Sequence, residues 1–329
     1  MNRKKEWRWI WGFIGMVWIV AMGTWVMADE RQGWHILACN PLLSSLEMES
    51  TWAAAKAIGV EGIEINVSPD LICSSLYVGK ETPYAMDTME HAKKVRADAQ
   101  ANGLLTPVIC APIQLDEKSE KAVAPQWAIT LIRNASSAGV HLIYFPIGTR
   151  SLTPSAENDV QFIQRSTALL KDLAETGAKN GITIVFENLG VFWNRPEITQ
   201  PVLDAFASDQ INLCLDPINL YWYGYPRSRV YKLVRHYIPR AKYFHVKNVA
   251  HPEDQREATR TPGWQYGENS VPVAEGDLDF KQILTWLHDS GYRGEISIED
   301  DSLGHYPVEK RVEILKQDVQ YLEKIRENL

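Results

Sequence analysis

Cysteine is scarce in this chain: Cys39, Cys73, Cys110 and Cys214 are all it has in 329 residues, and no two stand in the C-x-x-C spacing of a zinc site. Three of them lie inside apolar, strand-like runs, which predicts buried free thiols rather than a disulfide framework; a Cys39–Cys73 bridge is the one pairing left open. Positive charge is short as well. Lys and Arg number 34 against 41 Asp and Glu, for a formal net charge of −7. An acidic surface repels phosphate backbones, so nucleic acid is not an expected partner. No glycine-rich phosphate loop follows the first apolar run, which removes the usual dinucleotide-binding signature. Low-complexity tracts and sequence repeats are missing too. What remains, 45% hydrophobic and 23% charged, is the composition of a globular chain with a sizeable core.

One long hydrophobic run does occur. Residues 9–28, WIWGFIGMVWIVAMGTWVMA, carry no charge and follow Arg3, Lys4, Lys5 and Arg8. A basic stretch, an apolar stretch, and Val26 and Ala28 ahead of the polar DERQ make residues 1–28 read as an export signal. At about 20 residues the run is also long enough to cross a bilayer, so an uncleaved membrane anchor is the alternative. In both cases the body, residues 34–329, is expected outside the cytoplasm, periplasmic or extracellular. Losing residues 1–28 removes four basic residues and Glu6, which takes the net charge to about −10.

Eight short apolar or β-branched runs follow: WHILACN (34–40), GVEGIEINV (59–67), LLTPVICAP (104–112), GVHLIYFPIG (139–148), GITIVFENLG (181–190), INLCLDPINL (211–220), AKYFHVKNV (241–249) and GEISIEDD (294–301). Between them lie stretches with apolar residues at three and four spacing, such as SLEMESTWAAAKAIG and LDFKQILTWLHDSG, which predict helices. Their expected stops are Gly59, Gly103, Gly139, Asn180 and Gly291. Strands apolar on both faces that alternate with helices predict a parallel sheet. Eight such units predict a single (β/α)8 barrel over residues 34–329, with a doubly wound open sheet as the rival.

In such a barrel the chemistry sits at the C-terminal ends of the strands. Runs five to eight present Glu187, Asp216, His245 and Glu299 there. Any one of them alone is more often a helix cap or a satisfied core residue. Four ionisable groups converging on one rim are costly in desolvation and repulsion unless something compensates, and a divalent cation is the simplest compensation. Three carboxylates and one imidazole suit Mn²⁺ first, with Mg²⁺, Co²⁺ and Zn²⁺ as alternatives.

This order of Glu, Asp, His and Glu resembles the metal site of the xylose isomerase-like TIM barrels, which include ketose 3-epimerases, inosose dehydratases, hydroxypyruvate isomerases and the endonuclease IV repair enzymes. The segment EGDLDFKQILTWLHDSGYRGEISIED carries much of the likeness: a glycine-acid turn, a helix, a GY-x-G step and a strand ending on the last glutamate. The resemblance extends from about Trp34 to the end of the chain. It implies that Glu187, Asp216, His245 and Glu299 hold a divalent metal, and that Glu187 and Glu299 also act as general acid and base. The activity it implies is a metal-dependent sugar isomerase or epimerase working next to a carbonyl. Elimination on a 3-keto-glycoside, or carbohydrate binding without turnover, are the alternatives. The repair enzymes are set aside, because a multinuclear site needs further strand-end histidines and this chain has eight His in all. Two positions depart from the family pattern. Asn219 stands where many members have His, three residues after the aspartate, and Asn248 stands where many have Asp after HVK. Each is an amide, which hydrogen-bonds but does not exchange a proton at neutral pH.

Candidate substrate contacts surround these four. Glu64 and Asn66 close the second strand on one face. Trp193 in VFWN and Trp222 in YWYGY place flat rings near the mouth, suited to the C–H faces of a sugar. Asn219 belongs with them, as does Lys247, two residues beyond His245. No cluster of Arg and Lys marks the strand ends, so the expected partner is an unphosphorylated sugar or glycoside. Which sugar it is, and whether the chain forms a homo-oligomer, the sequence leaves open.

Overall fold

Each of the eight apolar runs contributes one barrel strand in the computed structural model, which describes residues 34–81, 83–115, 123–149 and 152–329. The expected export segment, residues 1–28, lies outside the described residues. The strands are β1 (Ile36–Cys39), β2 (Gly62–Asn66), β3 (Leu105–Cys110), β4 (Leu142–Phe145), β5 (Thr183–Glu187), β6 (Ile211–Leu215), β7 (Ala241–Val246) and β8 (Ile296–Ile298). They pair in parallel in chain order, and β1 closes on β8 through Ile36 with Ile296 and Ala38 with Ile298. The expected (β/α)8 barrel is therefore the fold, and the open-sheet rival falls because the sheet has no edge.

Burial on both faces explains the continuous apolar runs. In β6 every residue of INLCL is buried. Ile211, Leu213 and Leu215 join the large core beneath the helices, whereas Cys214 belongs to a separate inner cluster with Leu37, Val108, Cys110, Leu142, Tyr144, Val185 and Tyr243. The two clusters are the two faces of one pleated sheet, since alternate side chains point inward and outward. All four cysteines are free and buried, as expected, and Cys39 and Cys73 are not bridged.

The principal helices alternate with the strands: α1 (Thr51–Ile58), α2 (Met89–Ala101), α3 (Gln126–Ala135), α4 (Ala156–Asn180), α5 (Pro196–Asp204), α6 (Arg227–Tyr237), α7 (Phe280–Asp289) and α8 (Val308–Glu327). Among the described residues no helix is long and apolar enough to cross a membrane. Side-chain caps start several of them, Ser50 for α1, Thr88 for α2, Ser155 for α4 and Asp279 for α7. The stop expected at Asn180 moves by one residue. Asn180 stays helical, with its amide donating to Thr176 O, and Gly181 takes the left-handed turn at φ 68°. The last helix ties the barrel shut at its base: Arg326 Nη1 donates to Trp34 O and to Glu61 Oε2, both at 2.8 Å, and the same Oε2 accepts from Ile36 N at 2.9 Å.

At the opposite end the rim is built up by two small ribbons. Ile113–Gln114 pairs in parallel with Ile147–Gly148 beyond β3 and β4, and Asn248–Val249 pairs antiparallel with Ser270–Val271 in the long connection after β7.

Gly177 shows how closely a helix meets the sheet. A Cβ there would lie 2.6 Å from Ile182 O and 2.7 Å from Ile184 Cγ1. Helix propensity alone favours alanine over glycine by about 1 kcal/mol, but a backbone carbonyl has little room to retreat. Gly177→Ala is expected to destabilise the barrel by about 1–3 kcal/mol, read as a lower urea midpoint at unchanged slope. A midpoint that stays or rises would show that α4 can shift outward at no cost.

Candidate functional site

Glu187 is the last residue of β5 and His245 lies within β7, paired in register with Ser297 of β8. Asp216 directly follows β6, and Glu299 directly follows β8. One nitrogen or oxygen from each of Glu187, Asp216, His245 and Glu299 falls within 4.8 Å of the others. His245 Nδ1 is 3.3 Å from Glu187 Oε1 and 3.6 Å from Glu299 Oε2. Lys247 Nζ lies 2.6 Å from Glu299 Oε2 and 3.1 Å from Asp216 Oδ2, with Asp301 at 3.6 Å. Glu187, Asp216 and His245 are buried, while 28% of the Glu299 side chain is exposed, so solvent meets the cluster on its β8 side.

Local sequence holds each group in place. Asp216 is the N-cap of the short helix Pro217–Trp222, its Oδ1 accepting from Ile218 N and Asn219 N at 2.8 and 3.1 Å. Asn188, next to Glu187, clamps the Asp216 backbone from both sides, accepting from its N–H at 2.8 Å and donating to its carbonyl at 2.7 Å. With Oδ1 engaged in the cap, Asp216 Oδ2 turns to the cluster and has no aligned hydrogen bond within the protein. His245 Nδ1 has none either. Asn219 Nδ2 donates to Glu187 Oε1 at 3.0 Å, so the amide at the first departing position touches a candidate acid-base residue.

The charges are far from their solution behaviour. Burial pushes the carboxyls of Glu187 and Asp216 up. Burial acts on Glu299 in the same sense, but Lys247 and His245 beside it prevail and hold it well below the usual carboxylate range. For His245, burial works downward and is outweighed by Cys214, Glu299 and Glu64, which raise it. Crowded carboxylates and a buried imidazole, with Asp216 Oδ2 held by Lys247 alone and His245 Nδ1 free of a hydrogen bond, form a donor set that fits a divalent ion. Cys214 Sγ also comes within 4.8 Å of Glu187 and His245, a softer donor on the inner side.

The other residues expected at the site are dispersed. Asn66, half-buried at the end of β2, keeps a side-chain oxygen without a hydrogen-bond partner, while its N–H donates to Asn40 Oδ1. Trp222 is half-buried and lines a cavity of about 320 Å³ with Ile147, Gly148, Leu189, Val191 and Phe192. Lys247 faces the cluster as expected, but its ammonium is shared between Glu299 and Asp216 rather than left for a substrate oxygen. Trp193 lines the same cavity as Trp222 but is 1% exposed: it gives its indole N–H to Ile147 O at 2.8 Å and packs against Phe186 and Phe162. Glu64 departs from its expected role. It is 1% exposed, accepts hydrogen bonds from Tyr144 and Tyr243, and lies 3.1 Å from His245 Nε2, so its oxygens are taken before any sugar arrives. A larger hollow of about 670 Å³, beside Gly181, Thr183 and Phe206, lies at the start of β5, the far end from the four side chains.

Sequence reading passed over Asn188, Tyr144 and Tyr243. The signals were present: Asn188 adjoins the strand-end glutamate, and Tyr243 precedes His245 by two and so shares its face. Asn248, the second departure, turns away from the cluster. It is buried, its amide donates to Val273 O and Leu278 O at 2.8 and 3.0 Å, and its oxygen accepts from Val249 N and Leu278 N. Here it staples the long connection after β7.

A family model described as xylose isomerase-like TIM barrel matches residues 52–325. No curated protein matches the chain in sequence. Three solved structures match over nearly their whole length. D-allulose 3-epimerase from Methylomonas sp. is 15% identical with a TM-score of 0.57, covering 90% of this chain and 99% of its own. The 3-keto-D-glucoside 4-epimerase from E. coli is 13% identical with a TM-score of 0.56, covering 87% of this chain and 99% of its own. The IolI protein with a bound zinc atom is 13% identical with a TM-score of 0.60, covering 87% and 96%. At these identities the likeness is one of fold.

Two measurements test the site as described. Asn248→Asp removes the donor to two buried carbonyls and is expected to cost about 1–3 kcal/mol, with faster proteolysis within residues 250–278; unchanged stability would show that the staple is idle. Divalent cation is expected to stabilise the protein at neutral pH, by about 2.7 kcal/mol at a hundredfold excess over its dissociation constant. The sign follows from the carboxyls of Glu187 and Asp216, which are raised in the folded state. Their contribution to stability is present at low pH and lost as pH rises through the raised values, and a cation restores it there. Below about pH 4 protons occupy the same oxygens and the added cation should have little effect. A melting temperature unmoved by Mn²⁺, Mg²⁺, Co²⁺ or Zn²⁺ at pH 7.5 would remove the metal reading.

Proposed function

The chain belongs to the xylose isomerase-like TIM barrel family, and from that premise we propose that it is a divalent-metal-dependent isomerase or epimerase acting next to a carbonyl of an unphosphorylated sugar or glycoside. The observation that carries this reading is the convergence of Glu187, Asp216, His245 and Glu299 on one point at the C-terminal mouth of the barrel. The epimerases among its structural neighbours agree with it.

The reaction needs a carbon-bound proton removed and returned. A carboxylate alone is too weak a base for that at neutral pH. A bound divalent ion, Mn²⁺ first among those the donor set suits, supplies stabilisation of the negative charge that develops on the carbonyl oxygen. Everything else falls to the protein. Glu187 and Glu299, on β5 and β8 with two strands between them, flank the space above the cluster, and in this reading one takes the proton and the other delivers it. Asn219 orients Glu187 through Oε1. Lys247 keeps Glu299 ionised and close to the mouth. Asn66, whose side-chain oxygen has no hydrogen-bond partner, and Trp222, a half-buried ring, are the remaining candidate contacts for hydroxyl groups and C–H faces.

Unphosphorylated substrates suit this reading better than phosphorylated ones, because Lys247, the cation within the cluster among the described residues, is already committed to two carboxylates. They also fit an exported protein, as residues 1–28 suggest by their charge and hydropathy. The test is isotope exchange. Residues 29–329 loaded with Mn²⁺ and incubated in deuterated water with a panel of free ketoses and 3-keto-glycosides should place deuterium on a carbon beside the carbonyl of at least one member. Glu187→Gln and Glu299→Gln should each lose that exchange by about 10²-fold or more. Metal binding with no exchange on any member would leave a carbohydrate-binding barrel instead.

A further inference from the structure

We propose that Glu64 is a positioning residue which, together with Tyr144 and Tyr243, fixes the His245 ring so that Nδ1 faces the candidate metal centre. The proposal rests on the metal-dependent reading above and assigns a role to a buried acid that it leaves unexplained.

Glu64 sits inside β2, paired in register with Cys39 on one side and Val108 on the other, and points into the barrel. A carboxylate buried to 1% exposure is costly unless its oxygens are satisfied. Three donors from two other strands converge on it. Tyr144 of β4 donates to Oε1 at 2.9 Å, Tyr243 of β7 donates to Oε2 at 2.6 Å, and His245 Nε2 lies 3.1 Å from that same Oε2.

Donor and acceptor counting fixes the imidazole. A carboxylate accepts and does not donate, so the nitrogen beside it, Nε2, must carry the hydrogen. The lone pair of the metal-binding form then resides on Nδ1. That is the nitrogen without a hydrogen-bond partner, 3.3 Å from Glu187 Oε1 and 3.6 Å from Glu299 Oε2. The two tyrosine rings hold the ring plane: Tyr144 and Tyr243 meet it nearly edge-on, with centroids 5.2 and 5.1 Å away and interplanar angles of 88° and 77°. A carboxylate on the far nitrogen of a ligating histidine sets ring orientation and ligand basicity, and its loss costs about 10- to 100-fold in metal affinity.

Two other roles are separable from this one. A sugar-hydroxyl contact conflicts with the burial and with the occupied oxygens. A purely structural acid, holding three strands together, would affect stability without touching the metal.

The experiment titrates Mn²⁺ into the full body, residues 29–329, by calorimetry at pH 7.5 for the unaltered protein, Glu64→Gln, Tyr243→Phe and His245→Gln, with urea unfolding of each. Expected is a rise in the Mn²⁺ dissociation constant of about 10- to 100-fold for Glu64→Gln, a smaller rise for Tyr243→Phe, and no measurable site in His245→Gln. In the Zn²⁺-loaded protein, the His245 Nε2–H proton should resonate downfield and exchange slowly, and Glu64→Gln should move it upfield and speed its exchange. Tyr243→Phe keeps the ring and loses one donor, so it reports on the same network if Glu64→Gln does not fold. Folded Glu64→Gln or Tyr243→Phe with unchanged Mn²⁺ affinity and an unchanged Nε2–H signal would overturn the proposal. Failure of the unaltered protein to bind Mn²⁺ or Zn²⁺ would instead overturn the metal reading on which it rests.

Discussion

Like charge brought together out of water is the constraint that organises the mouth of this barrel. Closing eight parallel strands forces the ends of β5 to β8 onto one arc, and the chain places Glu187, Asp216 and Glu299 there around a buried imidazole. Coulomb repulsion and desolvation both oppose such an arrangement. The surrounding structure answers it group by group. Lys247 sits between Glu299 and Asp216, Asn219 donates to Glu187, and Asn188 fixes the Asp216 backbone from both sides. The helix starting at Pro217 turns its first N–H groups on Asp216 Oδ1. These partners hold each acid in place, with Asp216 Oδ2 beside Lys247 and His245 Nδ1 free of a hydrogen bond within the same cluster. A protein that needed neutrality there for stability alone has a simpler solution in apolar residues, which fill the layer beneath.

The barrel interior is accordingly stratified. Leu37, Val108, Leu142 and Val185 form an apolar plug, with Tyr144, Tyr243, Cys110 and Cys214 among them. Glu64 lies at the level where the plug gives way to the ionisable cluster, held by the two tyrosine hydroxyls. Rigid support from below and a partly exposed acid above, Glu299, give the cluster one face toward protein and one toward solvent. On the proposed function, a cation and a substrate would enter from the solvent side without disturbing the packing that sets the geometry.

How far this was legible in the sequence depended on what kind of information a position carries. Strand identity was legible, because two-sided burial in a parallel sheet leaves continuous apolar runs such as INLCL that need no partner to be recognised. The four converging residues were legible for the same reason: they are where those runs turn polar. Height inside the barrel was not. Glu64 precedes Asn66 by two and shares its face, yet neighbouring strands are staggered, and its level is set by pairing with Cys39 and Val108 rather than by its distance from the strand end. Loop direction was not legible either. The place of Trp193 after β5 predicts a mouth residue, and the short helix Gly190–Trp193 packs most of its ring onto Phe186 and Phe162. Asn180 and Gly181 are both residue types that commonly stop a helix, and the glycine accepts the left-handed turn more readily.

The two amides that depart from the family pattern have different explanations. Asn248 points away from the cluster and uses its NH₂ to satisfy two carbonyls of the long connection, a task for which a carboxylate has no hydrogen. Its replacement of an acid is therefore a matter of folding that loop. Asn219 touches the chemistry. By donating to Glu187 Oε1 it engages one oxygen of that acid, and as an amide it neither takes up nor releases a proton at neutral pH. A histidine at this position would offer Glu187 a path by which protons leave toward solvent. With Asn219 there that route is absent, and on the proposed function proton exchange with water falls to the partly exposed Glu299 side of the cluster. On that reading position 219 orients Glu187 without trading protons with it, and deuterium from water reaches the cluster through the opening beside the end of β8.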